Sequence, residues 1–413
     1  MSRLPPIRVR VESSIRAIPA EAWDACAFGG VRKKTDSPSQ LAEVCSEVDS
    51  RNPFVSHAFL ASLEESGTVA ARTGWLPQHI VVEDKAGEVL AAMPCYMKSH
   101  SQGEYVFDHG WADAFERAGG QYYPKLQVAV PFTPVTGPRL LVRAHPSADA
   151  LREALIAAGI ELASRRGTSS LHITFPTKPE WEYLTARGLL ARTDRQFHWL
   201  NAGYQTFDDF LSALSSRKRK NLARERREAQ EGVEIVRLTG SDLTEKVWDA
   251  FFEFYMDTGS RKWGRPYLNR AFFSIVSAAM ADRIVLVLAR RNRRWIAGAL
   301  NFVGAQTLYG RYWGATEHRP FLHFELCYYQ AIEHAIEHKL ARVEAGAQGQ
   351  HKIARGYLPV TTYSSHYIVD PGFRRAVANY LEQERAYVKA EAEELATLAP
   401  FRKDAPAEEE SDG

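Results

Sequence analysis

The sequence predicts a mixed α/β fold in which one supersecondary unit is built twice, and three observations carry that expectation. Residues 296–302 and 307–313 are short runs rich in β-branched and aromatic side chains, and Gly304 supplies the turn of a hairpin between them. Beyond Pro320, Tyr329, Ile332, Ala335, Ile336 and Leu340 recur at spacings of three and four, the period of one helical face, and residues 342–345 then read as a short buried strand. The same order of strand, strand, helix, strand occurs in the first half, between about residues 79 and 175. A helix crossing to a strand of the same sheet lies on one face of it, so the loops at the strand ends converge on a cleft.

In chain order, residues 7–12 alternate as an edge strand does, and Pro19 opens a short helix carrying Trp23. Residues 29–50 are polar and loop-like, after which Asn52 and Pro53 start a helix through Phe59, Leu60 and Leu63 that ends near Gly67. Residues 79–83 and 89–96 form a hairpin about Asp84-Lys85-Ala86-Gly87. The segment 98–138 is dense in aromatics, prolines and glycines and carries Asp108, His109, Tyr122, Tyr123 and Lys125, which suits an insertion lining a substrate. A helix at 147–166, a strand at 171–175, a helix at 181–187 and a strand at 196–200 complete this half.

The second half opens with a helix expected to run unbroken from Thr206 to about Gln230, apolar along Phe207, Leu211, Leu214 and Leu222. Arg217, Lys220, Arg224 and Arg227 fall on its opposite stripe, a candidate phosphate-binding face or a solvated one. Strands at 233–238 and 284–289 bracket helices at 245–258 and 270–280. A last helix starts at Asp370 and Pro371 and runs towards Leu398, and APAEEESDG is an acidic tail. Two domains are expected, 1–200 and 201–398, with 399–413 as tail.

Composition excludes several classes. Lys plus Arg number 52 against 50 Asp plus Glu, so phosphate affinity must come from local clusters and no DNA partner is expected. Cys26, Cys45, Cys95 and Cys327 lack CxxC spacing, which argues against a disulfide framework or a zinc site and fits a reducing cytoplasm. No apolar run approaches the roughly 20 residues of a membrane span, so a soluble protein is expected. His334, Glu337 and His338 spell HxxEH, but helical geometry turns His334 away from the Ile332 and Ile336 face, so both histidines are expected in solvent and no metal between them. Gly346-Ala347-Gln348-Gly349 lacks the spacing of a nucleotide loop.

Polar groups gather at the strand ends of the second half: Arg311, His323, Glu325, Glu344, Gln348, His351, Lys352, Arg355 and His366. Amide-forming transfer needs a carboxylate or imidazole to take a proton from an amine, and a cation or N–H donor to hold the oxyanion. Glu344 or Glu325 is the expected base and Lys352 the charge stabiliser, with His323 at the helix N-terminus. A structural ion pair of Glu344 with a neighbouring arginine is the alternative.

The stretches GEYVFDHGWADAFERAGGQYYPKLQVAVPFTP, SSRKRKNLARERRE and RYWGATEHRPFLHFELCYYQAIEHAIEHKLARVEAGAQGQHKIARGYLP resemble a FemAB-like family of the GNAT superfamily, described as peptidoglycan biosynthesis or recognition N-acyltransferases. That resemblance implies tandem acyl-CoA N-acyltransferase folds. HKIARGYLP is similar to a Phe-Lys motif near the family's second-domain active site, which points to Lys352, with His351 in place of the aromatic. Acetyl-CoA enzymes of the superfamily hold pyrophosphate on a QxxGxG-type loop before the central helix, where this chain keeps only Gly314. The implied function is acyl or aminoacyl transfer, from acyl-CoA, acyl carrier or aminoacyl-tRNA, to an amine of a cell-envelope or lipid-linked acceptor, with no tightly bound cofactor; peripheral contact with a membrane surface is open. A non-catalytic module that recognises peptidoglycan precursors is the alternative.

Overall fold

In a computed structural model, residues 6–29, 49–263, 266–346 and 349–402 are described. The strands are β1 (Arg8–Glu12), β2 (Trp75–Pro77), β3 (His79–Glu83), β4 (Val89–Met93), β5 (Cys95–Lys98), β6 (Lys125–Val128), β7 (Leu141–Val142), β8 (Ser170–Thr174), β9 (Leu190–Leu200), β10 (Glu234–Leu238), β11 (Ile284–Arg291), β12 (Arg294–Val303), β13 (Thr307–Ala315), β14 (Arg342–Glu344) and β15 (Leu358–Ile368). The mixed α/β class is the one found, and the hairpin, helix and strand unit stands in both halves.

One small sheet runs β1-β3-β4-β7, and an 11-stranded sheet runs β10-β11-β12-β13-β14-β9-β15-β8-β6-β5-β2. Pro94 separates β4 from β5 and lets one continuous run serve both sheets, since proline cannot donate to a ladder. The large sheet passes through the residue 200 boundary. β9 pairs with β14 of the second half, and β15 returns to lie between β9 and β8 of the first. Each half therefore lends the other a strand.

The helices cover these sheets with apolar faces. Helix Ala148–Arg166 sets Leu151, Leu155 and Leu162 on the first-half core, and helices Glu245–Trp263 and Arg270–Met280 set Trp248, Phe251 and Phe273 on the second. The crossover from β13 to β14 contains Leu322–Phe324, a π-helical turn Glu325–Tyr329 and the α-helix Gln330–Glu337, a wider turn of the kind that recurs at functional sites. Among the described residues no helix is long and apolar enough to cross a membrane.

Two expected elements differ. The helix over 206–230 is broken into Phe207–Ala213 and Ser216–Gln230, because Leu214 is extended and bridges to Phe401 while the Ser215 N–H donates to the Pro400 carbonyl (2.9 Å). The helix begun at Asn52 is instead a 3-10 turn, Pro53–Val55, and the α-helix His57–Glu65 starts on the Ser56 N-cap, whose hydroxyl accepts from the Phe59 N–H.

Candidate active site

β13 and β14 run parallel over only three pairs, from Thr307 with Arg342 to Tyr309 with Glu344. β13 then continues to Ala315, whereas the chain after Glu344 stays with β9, the Ala345 N–H donating to the Phe197 carbonyl and the Phe197 N–H to that of Gly346. A wedge opens where the strands part, and Glu344 stands at its apex. On the β13 side the register shifts, Leu300 facing Tyr312 and Asn301 facing Gly310, so Arg311 is an extra residue without a partner on β12. Such bulges re-aim side chains beside active sites. Arg311 donates from Nη2 to the Phe132 carbonyl (3.2 Å), which also accepts from the Tyr312 hydroxyl (3.2 Å). Phe132, stacked on Tyr267, is where the aromatic segment 98–138 meets this region.

Glu344 is buried. Its cross-strand partner is His198 of β9, with Nε2 3.9 Å from Glu344 Oε2, and neither of these two buried atoms has a hydrogen-bond partner. Arg342, bonded to the Thr307 hydroxyl (2.9 Å), keeps Nε 3.6 Å from the other Glu344 oxygen. Burial, helped by Asp49, lifts the carboxyl to about 7 against the pull of Arg342 and Arg311. Asp49 is fixed near by accepting from the Ala305 and Gln306 N–H groups of the hairpin turn (2.8 and 3.1 Å). Burial, with Arg342 and Lys352 adding to it, brings His198 down to about 3 and so keeps its imidazole neutral. No sequence signal marked His198, since its role comes from the strand lent between halves.

Lys352, buried on the turn Gln350–Arg355, donates to the Ala345 (2.5 Å) and Gly346 (3.0 Å) carbonyls and lies 5.7 Å over the Phe197 ring. Burial lowers its pKa to about 8. It ties down the loop that leaves the wedge. His323 sits edge-on to Trp313 and Tyr328, and the Tyr328 hydroxyl shares a hydrogen bond with His351 (3.0 Å). Arg355 donates to the His351 carbonyl and to Glu225, both at 2.7 Å, and stacks 3.4 Å over Phe324. Gln348 lies outside the described residues.

Glu325 is turned elsewhere. Its Oε1 accepts from Gln230 and Gln330 (both 2.8 Å) with Arg226 at 3.3 Å, so it faces helix Ser216–Gln230, and burial raises its pKa. His366 does not join the second-half cluster: β15 carries it into the first half, where it bonds His172. The expected substrate lining of 98–138 is largely core. Lys125 is fully buried, donates to Ser101 (2.8 Å), Glu104 (2.7 Å) and Asp108, and Asp108 also accepts from Tyr122 (2.6 Å). Four charges, Lys98 among them, neutralise one another there instead of facing a ligand. Tyr123 bonds Ser101 (2.8 Å), and His109 is exposed.

Arg217, Lys220, Arg224 and Arg227 are all exposed along one face of helix Ser216–Gln230. Arg224 and Arg227 border a groove of about 770 Å³ that also touches Phe207, Leu211 and Arg226. Gly314 has a packing reason of its own, since a Cβ there would fall 2.1 Å from the Phe254 carbonyl oxygen. The expectation that His334 faces solvent is corrected: it is buried, its ring stacked at 3.9 Å on that of His338, which is exposed.

A FemAB-like family, described as peptidoglycan biosynthesis/recognition, matches residues 14–403. No curated protein matches. FemX is similar in structure at 14% identity and a TM-score of 0.49, covering 77% of this chain and 94% of its own. A tandem GNAT protein from the clavulanic acid biosynthesis pathway is similar at 12% identity and 0.47, over 89% and 99%. The C-terminal domain of a lysylphosphatidylglycerol synthetase from Agrobacterium fabrum is similar at 11% and 0.46, over 78% and 90%.

Proposed function

Because the chain belongs to the FemAB-like family of peptidoglycan biosynthesis/recognition proteins, we propose that it transfers an activated acyl or aminoacyl group to an amine of a cell-envelope or lipid-linked acceptor. The observation that carries this reading is Glu344, a buried carboxyl held near neutrality at the point where two parallel strands part, with Oε2 unengaged. An acid poised near the working pH is suited to take a proton from an attacking amine. The amine nitrogen bonds to the acyl carbon, its proton passes to Glu344, and the C–S bond of a thioester or the C–O bond of an aminoacyl ester breaks. The leaving sulfur or oxygen then recovers a proton. The bulged peptide of Arg311 and its guanidinium supply positive potential for the oxyanion on the opposite wall. His198 lies beside Glu344 from the other half, and Lys352 secures the loop.

Gly314 packs against a helix, which favours a donor held by other means than a glycine loop. The basic stripe on helix Ser216–Gln230 suits phosphates of the donor or of the acceptor. Incubating the protein with radiolabelled acyl-CoA, acyl carrier and aminoacyl-tRNA pools, each with lipid-linked and soluble peptidoglycan precursors, tests the assignment. Label on an acceptor amine from one donor class is expected. Tight precursor binding with no transfer from any donor would overturn it in favour of a recognition module.

A further inference from the structure

We propose that His334, Glu337 and His338 form a binding site for a divalent transition metal of the zinc type, on the last turn of helix Gln330–Glu337. One ring nitrogen from each histidine and one carboxylate oxygen of Glu337 lie within 4.8 Å of one another, and the two rings stack at 3.9 Å. Positions i, i+3 and i+4 share a helix face, so the three ligands converge without any tertiary rearrangement.

Two further observations point to a ligand. His334 is only 8% exposed, and among the described residues neither ring nitrogen is engaged in a hydrogen bond, which leaves both open to a ligand. The second observation is that the partners prepare the ligand atoms. His338 Nδ1 lies 2.9 Å from the His334 carbonyl, which can only accept, so Nδ1 carries the proton and Nε2 presents a lone pair. Glu337 gives Oε2 to Arg237, which leaves Oε1 for the metal while the arginine fixes the carboxylate. Outer hydrogen bonds of this kind orient the histidines and carboxylates of metal sites. Two imidazoles and a carboxylate, with solvent as a fourth ligand, match zinc's preference for nitrogen and oxygen donors in tetrahedral array.

The test uses the tag-free full chain stripped with chelator, then dialysed against zinc and titrated in competition with a chromogenic chelator. One equivalent of zinc per chain is expected, with a higher thermal midpoint in its presence. His338→Gln alters an exposed side chain, so it should fold normally and lose more than about tenfold in affinity, with the zinc-dependent rise in midpoint gone. Glu337→Gln should weaken binding less, and His323→Gln, at the wedge, not at all. Wild-type protein that binds no zinc, or His338→Gln binding like wild type, overturns the site.

Discussion

Two parallel strand pairs in this protein, β13 with β14 and β6 with β8, each carry a titratable residue that faces a histidine on the next, antiparallel strand, and they put it to opposite uses. In the second half Glu344 of β14 faces His198 of β9, and in the first His172 of β8 faces His366 of β15. The first-half pair is closed. His172 and His366 bond through their Nδ1 atoms at 2.6 Å, Ser170 and Ser364 occupy the other nitrogens, Trp111 stands edge-on, and Tyr122, Asp108 and Lys125 fill the space beyond. The second-half pair is 3.9 Å apart with both facing atoms unengaged, at a wedge instead of a plug. The same scaffold thus supplies one centre where all four histidine nitrogens are engaged, and a candidate reactive centre where the facing histidine and carboxylate atoms are not.

The largest expected effects break this contrast in opposite directions. Glu344→Gln keeps the shape of a carboxyl that is partly protonated at neutral pH, so the thermal midpoint should move little while transfer falls by roughly two orders of magnitude or more. Lys125→Met should do the reverse. It removes the one cation bonded to both buried carboxylates, Glu104 and Asp108, leaving Lys98 at 3.9 Å from Glu104, a loss of about 3–5 kcal/mol in chemical denaturation. A Glu344→Gln protein with a collapsed midpoint and surviving turnover would make the wedge scaffolding as well.

What was legible in the sequence follows from what is local. The hairpin of β12 and β13, the crossover helix and β14 could be read from alternation, turn residues and a 3.6-residue period, and Glu344 from its place at a strand end. His198 was illegible as a site member, and His366 was misplaced in the second-half cluster, because β9 and β15 change places between the halves, and no periodicity reports a pairing across 140 residues or more of chain. The break at Leu214 was hidden for the same reason, since its cause is Pro400 and Phe401. The charges of 98–138 carried a usable signal: Lys98 and Lys125 balance Glu104 and Asp108 within an aromatic stretch, which suits mutual burial better than a solvent-facing lining.

The histidine pair sharpens the comparison through pH. At 2.6 Å one Nδ1 must donate and the other accept, so the doubly protonated pair, with two N–H groups set against each other, does not fit. Burial, with Lys125 and Arg192 adding to it against Asp108, brings His172 down to about 3, and His366 lies well below its ordinary value. The unfolded chain therefore binds more protons below about 6.5, and this contribution to stability, complete above that pH, falls as pH drops towards 3. Glu104, lifted by burial to about 7, works in the other sense, so the contrast to measure is wild type against His172→Gln/His366→Gln. Between pH 6 and 4 wild type should lose stability faster than the double variant, by up to about 1.4 kcal/mol per pH unit for each proton. Parallel curves would show that the pair takes up its protons without opening.

The smallest expected effect on stability belongs to the basic stripe, and it decides whether the wedge has a phosphate-bearing partner. Arg217, Lys220, Arg224 and Arg227 are exposed and make no ion pair among the described residues, unlike Arg226 of the same helix, which is held by Glu325 and Glu333. Changing all four to Gln should shift unfolding free energy by no more than about 0.5 kcal/mol, because surface cations away from structural features contribute little. A polyphosphate or tRNA probe should respond differently. If each of the four cations neutralises a phosphate, the variant should bind more weakly at low salt, and the slope of log affinity against log salt should flatten by roughly three. Affinity and slope equal to wild type would return the stripe to a solvated face. An anionic partner of the wedge would then have to be held by cations of its own walls, Arg311 at the bulge among them.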